Sequence, residues 1–264
     1  MSSFQDPTLA RTLAEAIRAR STRPVRLMEF CGGHTHAILR FGIPELLPPT
    51  VELRSGPGCP VCVTSAADLD RAIALAGVPG AILATFGDMM RVPGTHTSLA
   101  GAKAGGADVR VVYSPLDALR LAQGNPTRPV IFLGVGFETT APMVASAVLS
   151  AAVSGLDNFY VYSTHKLTPP ATRAILDAGE VALDGIIGPG HVTTIIGSMA
   201  WDFLPREYGI PCAIAGFEPG GPLARRAGAG GNGRGRPAGR GQYLCPQRHA
   251  GRQPPGPAGH GAGL

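Results

Sequence analysis

The sequence predicts an α/β protein made of two similar parallel-sheet, Rossmann-like domains with a cleft between them, followed by a disordered C-terminal tail. Short apolar runs alternate with helix-like stretches, a pattern typical of a parallel sheet with helices on its faces. The turn-forming stretch AQGNPTRP (122–129) favours a break into two four-stranded sheets, and a single eight-stranded barrel is the alternative. The predicted domains are 1–125 and 126–219, with the tail at 220–264.

Eight short apolar runs are the candidate strands. In chain order they are VRLMEF (25–30), VELRS (51–55), AILATF (81–86), VRVVYS (109–114), PVIFLGV (129–135), NFYVYS (158–163), GIIG (185–188) and CAIAG (212–216). Helical stretches are predicted between most of them, for example TSAADLDRAIALAG (64–77) and PPATRAILDAG (169–179).

Three similarities inside the chain favour two related halves. His34 and His165 each follow a candidate strand, 131 positions apart. Gly-Pro-Gly occurs in SGPGC (55–59) and again in IGPGH (187–191), and TFGD and AGFE form a looser third pair. The common order and the nearly constant offset predict a duplicated α/β unit.

The net charge of +5 comes from the tail and not from the body of the protein. Residues 220–264 hold seven arginines and no acidic residue, which leaves sixteen basic side chains against eighteen acidic ones elsewhere. The tail has fourteen Gly, six Pro and no Ile, Val, Phe, Met or Trp, so we expect disorder. One interpretation of the tail is an Arg/Gly segment that binds RNA. We favour the other interpretation, translation of the gene in an altered reading frame. We therefore expect no nucleic-acid partner.

The hydrophobic fraction of 44% is typical of a globular protein. No charged-then-apolar leader is visible, and the longest apolar stretch, APMVASAVLSAAVSG (141–155), is short and rich in small residues. We therefore predict a cytoplasmic protein without a membrane partner. In that compartment, five cysteines indicate metal binding or redox activity more than structural disulfides.

The first candidate site is EFCGGHTH (29–36), directly after a predicted strand. In α/β proteins, ligand-binding and catalytic residues commonly lie at the carboxyl ends of strands. Its thiol and two imidazoles suit a soft metal or a nucleophile–base pair, and their spacing does not choose between these. Cys31 is the expected functional cysteine. His34 is favoured over His36 because it lies nearer the turn.

The second candidate site is GPGCPVC (56–62), where Cys59 and Cys62 have the C-x-x-C spacing of a reversible disulfide or half a metal site. No second ligand pair of zinc type is present, so redox exchange or a metal shared with Cys31 is favoured over two buried hydrophobes. Cys212 lies in an apolar run and is expected in the core; Cys245 lies in the tail and is assigned no role.

Further polar loops follow other predicted strands. Glu138 lies in the Gly-rich turn GVGFETTAP (134–142). Three roles are open for it: a proton carrier, a hydrogen-bond acceptor, or a solvated loop carboxylate without a function. His165 and His191 lie beside hydroxyl residues, and Asp88 follows another strand. Because the loops after parallel strands open on one edge of a sheet, we expect these groups to converge.

Six strings in fixed order, EFCGGHTH, GPGCPVC, TFGDMMRVPG, GFETTAP, STHKLTPP and GPGHV, resemble the HypD family of hydrogenase maturation factors over roughly residues 25–219. The resemblance implies a cytoplasmic scaffold, and not a conventional enzyme, on which the Fe(CN)₂CO unit of [NiFe]-hydrogenase is assembled. It implies a small HypC-type chaperone and a HypE-type cyanide donor as partners, with the hydrogenase large subunit as indirect recipient.

The same resemblance implies roles for single residues. Cys31 would be the thiolate ligand of the iron, with His34 beside it, and Cys59 and Cys62 would be a thiol–disulfide pair that delivers electrons. The remaining residues implied to line the cleft are Glu138, His165 and His191. The family fold, two similar α/β domains and a third, agrees with the internal similarities.

The resemblance ends at AGFEP (215–219), whereas family members continue into a cysteine-rich region that holds a [4Fe–4S] cluster. The tail offers only Cys245, and one cysteine does not hold a four-iron cluster. We therefore expect a truncated or frame-shifted product without the cluster. The alternative function is a thiol–disulfide oxidoreductase that uses Cys59 and Cys62, with Cys31 resolving the intermediate.

Overall fold

The computed structural model describes residues 6–217, and all eight predicted strands are present there. The strands are β1 (Val25–Glu29), β2 (Val51–Ser55), β3 (Ile82–Thr85), β4 (Val109–Val111), β5 (Val130–Gly134), β6 (Phe159–Ser163), β7 (Gly185–Pro189) and β8 (Cys212–Ala215). The fourth is shorter than predicted because Ser114, at the end of the apolar run, begins the next helix as its N-cap.

Helices connect most of the strands. They are α1 (Pro7–Arg20), α2 (Gly32–Arg40), α3 (Ile43–Leu46), α4 (Ala66–Ala76), α5 (Leu99–Ala104), α6 (Pro115–Gly124), α7 (Ala141–Val153), α8 (Thr168–Asp177) and α9 (Gly190–Ile196). Three of them begin at a serine whose hydroxyl accepts a backbone N–H of the first turn, at distances of 3.1–3.2 Å: Ser65, Ser98 and Ser114. Within 6–217, no helix is long and apolar enough to cross a membrane.

The strands form two four-stranded parallel sheets, as predicted. The first sheet has the order β2-β1-β7-β8 and the second the order β4-β3-β5-β6. If the strands are numbered within each sheet, both have the order 2-1-3-4. The prediction of two similar α/β units is confirmed at the level of topology.

The border between the sheets does not follow the predicted division after residue 125. The second sheet contains β3 to β6 and is inserted between β2 and β7 of the first, so strands from both 1–125 and 126–219 occur in each sheet. The turn-rich stretch 122–129 only joins α6 to β5. Turn composition shows where a chain reverses, but it does not show which strands pair afterwards.

The internal similarities pair the wrong strands. His34 follows β1 and His165 follows β6, yet β1 corresponds in topology to β3, and β6 to β8. One Gly-Pro-Gly string follows β2, an edge strand of the first sheet. The other lies at the end of β7, an inner strand of the same sheet. The repeat is therefore one of strand order, which Gly- and Pro-rich loop strings do not report.

Each sheet is packed between helices. In the second sheet, α4 and α5 cover one face with Leu69 and Leu99, whereas α6 and α7 cover the other with Ala118 and Val144. The first sheet packs against Trp201, which is fully buried. These apolar layers fix the strand ends whose loops carry the polar residues.

The chain passes between the sheets twice. Residues 56–65 lead from β2 of the first sheet to α4 of the second, and residues 164–184 lead back from β6 to β7. The predicted C-x-x-C pair lies in the first of these connections and His165 at the start of the other. The disorder predicted for the tail concerns 220–264, which lies outside the described residues.

Candidate functional site

The candidate site lies at the carboxyl ends of β1 and β7. In an open parallel sheet, ligands bind where the strand order reverses, because the loops of neighbouring strands diverge there. In the first sheet this point falls between β1 and β7, which lie side by side. Cys31 follows β1 and His191 follows β7, so two predicted site residues flank it.

The Cys31 sulfur contacts the His191 ring at this point, where the strand order reverses. Its Sγ lies 3.9 Å from both Nδ1 and Nε2 of His191, so neither nitrogen is committed to it. Burial raises the pKa of the Cys31 thiol, and the Glu29 charge adds to this, whereas the backbone N–H groups of Gly33 and His34 act against it. The Cys31 thiol is therefore neutral near pH 7, and a bound cation would favour the thiolate.

The Glu29 carboxylate fixes the backbone of Cys31. Although only 2% exposed, it accepts the Cys31 N–H at 2.7 Å, the Ser55 hydroxyl at 2.5 Å and the Thr35 hydroxyl. These contacts tie the ends of β1 and β2 to the first turn of α2. Sequence reasoning missed Glu29, although an acidic residue that ends an apolar strand beside the cluster was a usable signal.

His34 is fully buried, and its tautomer can be assigned. Its Nε2 lies 3.0 Å from the Ala215 carbonyl oxygen, which only accepts, so Nε2 carries the proton. Burial lowers the pKa of His34, which leaves Nδ1 as a lone pair. Within the described part of the chain, Nδ1 has no hydrogen-bond partner. A histidine oriented by a backbone carbonyl in this way is typical of a metal ligand.

Phe217 covers the two histidines and was also missed. Its ring centroid lies 5.2 Å from that of His34 and 5.3 Å from that of His191. A Cβ on Gly33 would approach the Phe217 ring to 2.7 Å, so glycine at 33 allows the ring to lie there. No polar signal marks a phenylalanine near the end of the eighth strand.

The C-x-x-C loop lies directly against Cys31. The Gly58 carbonyl accepts the Gly32 N–H at 3.3 Å, and a Cβ on Gly58 would meet the Cys31 Cα at 2.5 Å. The Cys62 N–H donates to the Cys59 sulfur at 3.4 Å, and the hydrogen bond to Cys59 raises the pKa of the exposed Cys62. Neither Cys59 nor Cys62 forms a disulfide. They follow Gly58, the residue that contacts Cys31, by one and four positions.

Glu138 reaches this site from the second sheet. It is 5% exposed and accepts the Thr168 N–H at 2.6 Å and the Thr168 hydroxyl at 2.5 Å, so it is not a solvated loop carboxylate. Burial lowers the pKa of His191, repulsion from the protonated form of His34 lowers it further, and the Glu138 charge raises it. A carboxylate of one sheet therefore acts on an imidazole of the other.

His165 follows β6 of the second sheet. Its ring nitrogens contact the hydroxyls of Ser163 and Thr140, which belong to the second sheet and its following loop. Burial lowers the pKa of His165. Asp88 lies in the turn after β3, and Cys212 is buried in the core of the first sheet, as predicted.

Residues 6–217 contain no group of three or more His, Cys, Asp and Glu side chains arranged to hold a metal ion by themselves. The structure brings together one thiol, Cys31, and two imidazoles, of which His191 is in contact with it.

Comparisons with known proteins agree with these observations. The HypD model, described as "Hydrogenase formation hypA family", matches residues 8–224. The hydrogenase maturation factor HypD of Rhodobacter capsulatus is 52% identical over 225 residues, which are 83% of this chain and 60% of the relative. That of Azotobacter vinelandii is 55% identical over 224 residues, with 82% and 59% covered, and that of Escherichia coli 46% over 223 residues, with 82% and 60% covered.

The chain spans about 60% of the length of these curated relatives. The family model covers most of the chain, including every element of both sheets. The chain therefore belongs to the HypD family.

Proposed function

We propose that this chain acts in hydrogenase maturation as a scaffold on which the Fe(CN)₂CO unit is assembled, with the Cys31 thiolate as the iron ligand. The observation that supports it most is the contact between Cys31 and His191 at the point where the strand order of the first sheet reverses. The relatives are named hydrogenase maturation factors.

The donor set suits this cargo. A soft thiolate is a good ligand for iron that carries carbon monoxide and cyanide, and those diatomic ligands fill most of its coordination positions. The bare Nδ1 of His34 is a second possible donor. His191, whose ring packs against Phe217, can donate a hydrogen bond to a cyanide nitrogen.

The Cys59 and Cys62 thiols are proposed to supply electrons. Oxidation of two thiols to one disulfide releases two electrons and two protons, and the loop that holds them touches Cys31 through Gly58. Glu138 is buried beside Thr168, and its charge raises the pKa of His191, so we propose that it acts on the site through this imidazole during the transfer.

A [4Fe–4S] cluster does not fit the cysteines of this chain. It needs four thiolates, and apart from the three cysteines of the proposed site only Cys212, in the core, and Cys245 remain. The partners that we propose are the HypC-type chaperone and the HypE-type cyanide donor, with the hydrogenase large subunit as indirect recipient, all in the cytoplasm.

The proposal is tested by anaerobic iron binding to the full chain. After incubation with Fe(II) and gel filtration, we expect iron to co-elute with the protein and to show thiolate-to-iron absorption. Cys31→Ser should lose both signals. Cys62→Ser is the matched control, since it removes a thiol of the neighbouring loop, and it should retain the iron. Equal iron in Cys31→Ser and in the unchanged protein would contradict the proposal.

A thiol–disulfide oxidoreductase is the second candidate, because the Cys62 N–H contacts the Cys59 sulfur and Cys62 is exposed. It predicts catalytic reduction of a protein disulfide, such as that of insulin, by a protein free of iron. Turnover that requires Cys59 and Cys62, together with no iron binding at Cys31, would favour this second function over the scaffold.

A further inference from the structure

A second polar group lies at the carboxyl end of the second sheet. Ser163, at the end of β6, is exposed, and its Oγ lies 2.9 Å from Nδ1 of His165. Nε2 of His165 lies 3.1 Å from the hydroxyl of Thr140, which is the N-cap residue of α7. The three side chains form one hydrogen-bonded chain that ends at the protein surface.

The direction of each hydrogen bond follows from the last member of this chain. The Thr140 hydroxyl donates its only proton to the Phe137 carbonyl, at 3.1 Å, so it accepts from Nε2–H of His165. Because burial lowers the pKa of His165, the ring is neutral and carries one proton. Nδ1 is then a bare lone pair, and the hydrogen bond runs from the Ser163 hydroxyl to it.

Two glycines make room for this arrangement. A Cβ on Gly136 would lie 1.7 Å from the Thr140 hydroxyl and 3.1 Å from the His165 ring, and a Cβ on Gly134 would lie 3.0 Å from that ring. The imidazole therefore packs against bare backbone at the end of β5. A side chain at either position would displace the ring or the hydroxyl that orients it.

We propose that Ser163 and His165 form a nucleophile–base pair that accepts an acyl group from an activated carboxylic ester. An exposed nucleophile, a base within hydrogen-bond reach and a third group that orients the base are the features of an activated serine. The orienting group here is a neutral hydroxyl and not a carboxylate, so the imidazolium formed in the reaction is less stabilised. The substrates are therefore esters with good leaving groups.

The Ser163 oxygen forms a bond to the acyl carbon, and its proton moves to Nδ1 of His165. The bond from the acyl carbon to the leaving oxygen breaks, and the leaving alcohol takes that proton from Nδ1. Water, deprotonated by the same nitrogen, then hydrolyses the acyl-serine and restores both residues.

The test uses the full chain, free of metal, with p-nitrophenyl acetate and with a fluorophosphonate probe selective for activated serines. We expect p-nitrophenol release and mass-spectrometric labelling at Ser163, both lost in Ser163→Ala. Loss of the base in His165→Gln should slow labelling by about 10²-fold or more. Thr140→Val should slow it less, and it keeps the test valid if His165→Gln does not fold.

Ser154→Ala is the matched control, since Ser154 is an exposed serine at the end of the same α7 and should leave the labelling unchanged. Labelling of Ser163 no faster than that of Ser154 would overturn the proposal. An unchanged rate at Ser163 in both His165→Gln and Thr140→Val would also overturn it. None of these outcomes depends on iron or on Cys31, so the result is independent of the proposed scaffold function.

Discussion

The Cys31 thiol and the His191 imidazole are in contact although 160 positions separate them in the chain. The contact exists because β7 lies beside β1, with Glu29 opposite Ile187, so that the loops after both strands open at the same place. The Glu29 carboxylate accepts the Cys31 N–H, and the Phe217 ring packs against that of His191.

The reactivity of Cys31 should depend on the charge of Glu29. Removing that negative charge in Glu29→Gln lowers the pKa of the thiol, because repulsion of the thiolate by the carboxylate disappears. The pH midpoint of Cys31 alkylation by iodoacetamide, measured in a Cys59→Ser, Cys62→Ser background, should therefore move to lower pH. Glu52→Gln, on exposed β2, is the control; an unmoved midpoint in Glu29→Gln contradicts the assigned charge effect.

The protein should lose stability as the pH falls below about 6.5, the ordinary pKa of histidine. Burial lowers the pKa of His34, His165 and His191, so below that pH the unfolded chain binds protons that the folded chain does not. The free energy of unfolding then falls by at most about 1.4 kcal/mol per pH unit for each of them. Urea unfolding between pH 6.5 and 5.5 measures this slope.

The slope of the unfolding free energy against pH identifies the contribution of His34 to this pH dependence. In His34→Gln the dependence on pH should be weaker than in the unchanged protein, whatever the substitution does to the absolute stability. His36→Gln, which replaces an exposed histidine of the same helix, should leave the slope as it is. Equal slopes in all three proteins would show that His34 is protonated alike in both states.

Gly58→Ala should disturb both the fold and Cys31. The new Cβ would lie 2.5 Å from the Cα of Cys31 and from the N of Gly32, and backbone atoms do not move aside as side chains do. We expect a loss of about 1–3 kcal/mol in unfolding free energy, with faster alkylation of Cys31. Gly87→Ala is the control, because its nearest neighbour is the Val111 side chain at 3.5 Å. Equal stabilities would contradict the close approach.

Glu138→Gln should destabilise the second sheet. Glu138 accepts two hydrogen bonds from Thr168, one from its backbone N–H and one from its hydroxyl. A glutamine amide has only one acceptor oxygen, so its NH₂ group would face one of these two donors. A buried donor left without an acceptor costs about 1–3 kcal/mol, measurable by urea unfolding. Thr168→Ala should reduce the effect of Glu138→Gln in a double-mutant cycle, and the exposed Glu180→Gln should have almost none.

Much of the local structure was predictable from the sequence. All eight apolar runs are strands, because β-branched and aromatic residues bounded by turn residues form strands whatever their partners. Cys31, His34, Cys59 and His191 were recognisable because polar, chemically reactive residues beside glycines at strand ends have few structural uses. Glu29 and Phe217 were missed because a single carboxylate or a single aromatic residue is unremarkable in a sequence.

The sequence by itself determined where the strands lie, since each strand depends on a few neighbouring residues. Only the tertiary structure decided that the second sheet is inserted between β2 and β7 and that Cys31 contacts His191. Strand order depends on packing and hydrogen bonds between segments more than a hundred residues apart. No local pattern carries that information, because the same apolar strand can pair with any other of similar length.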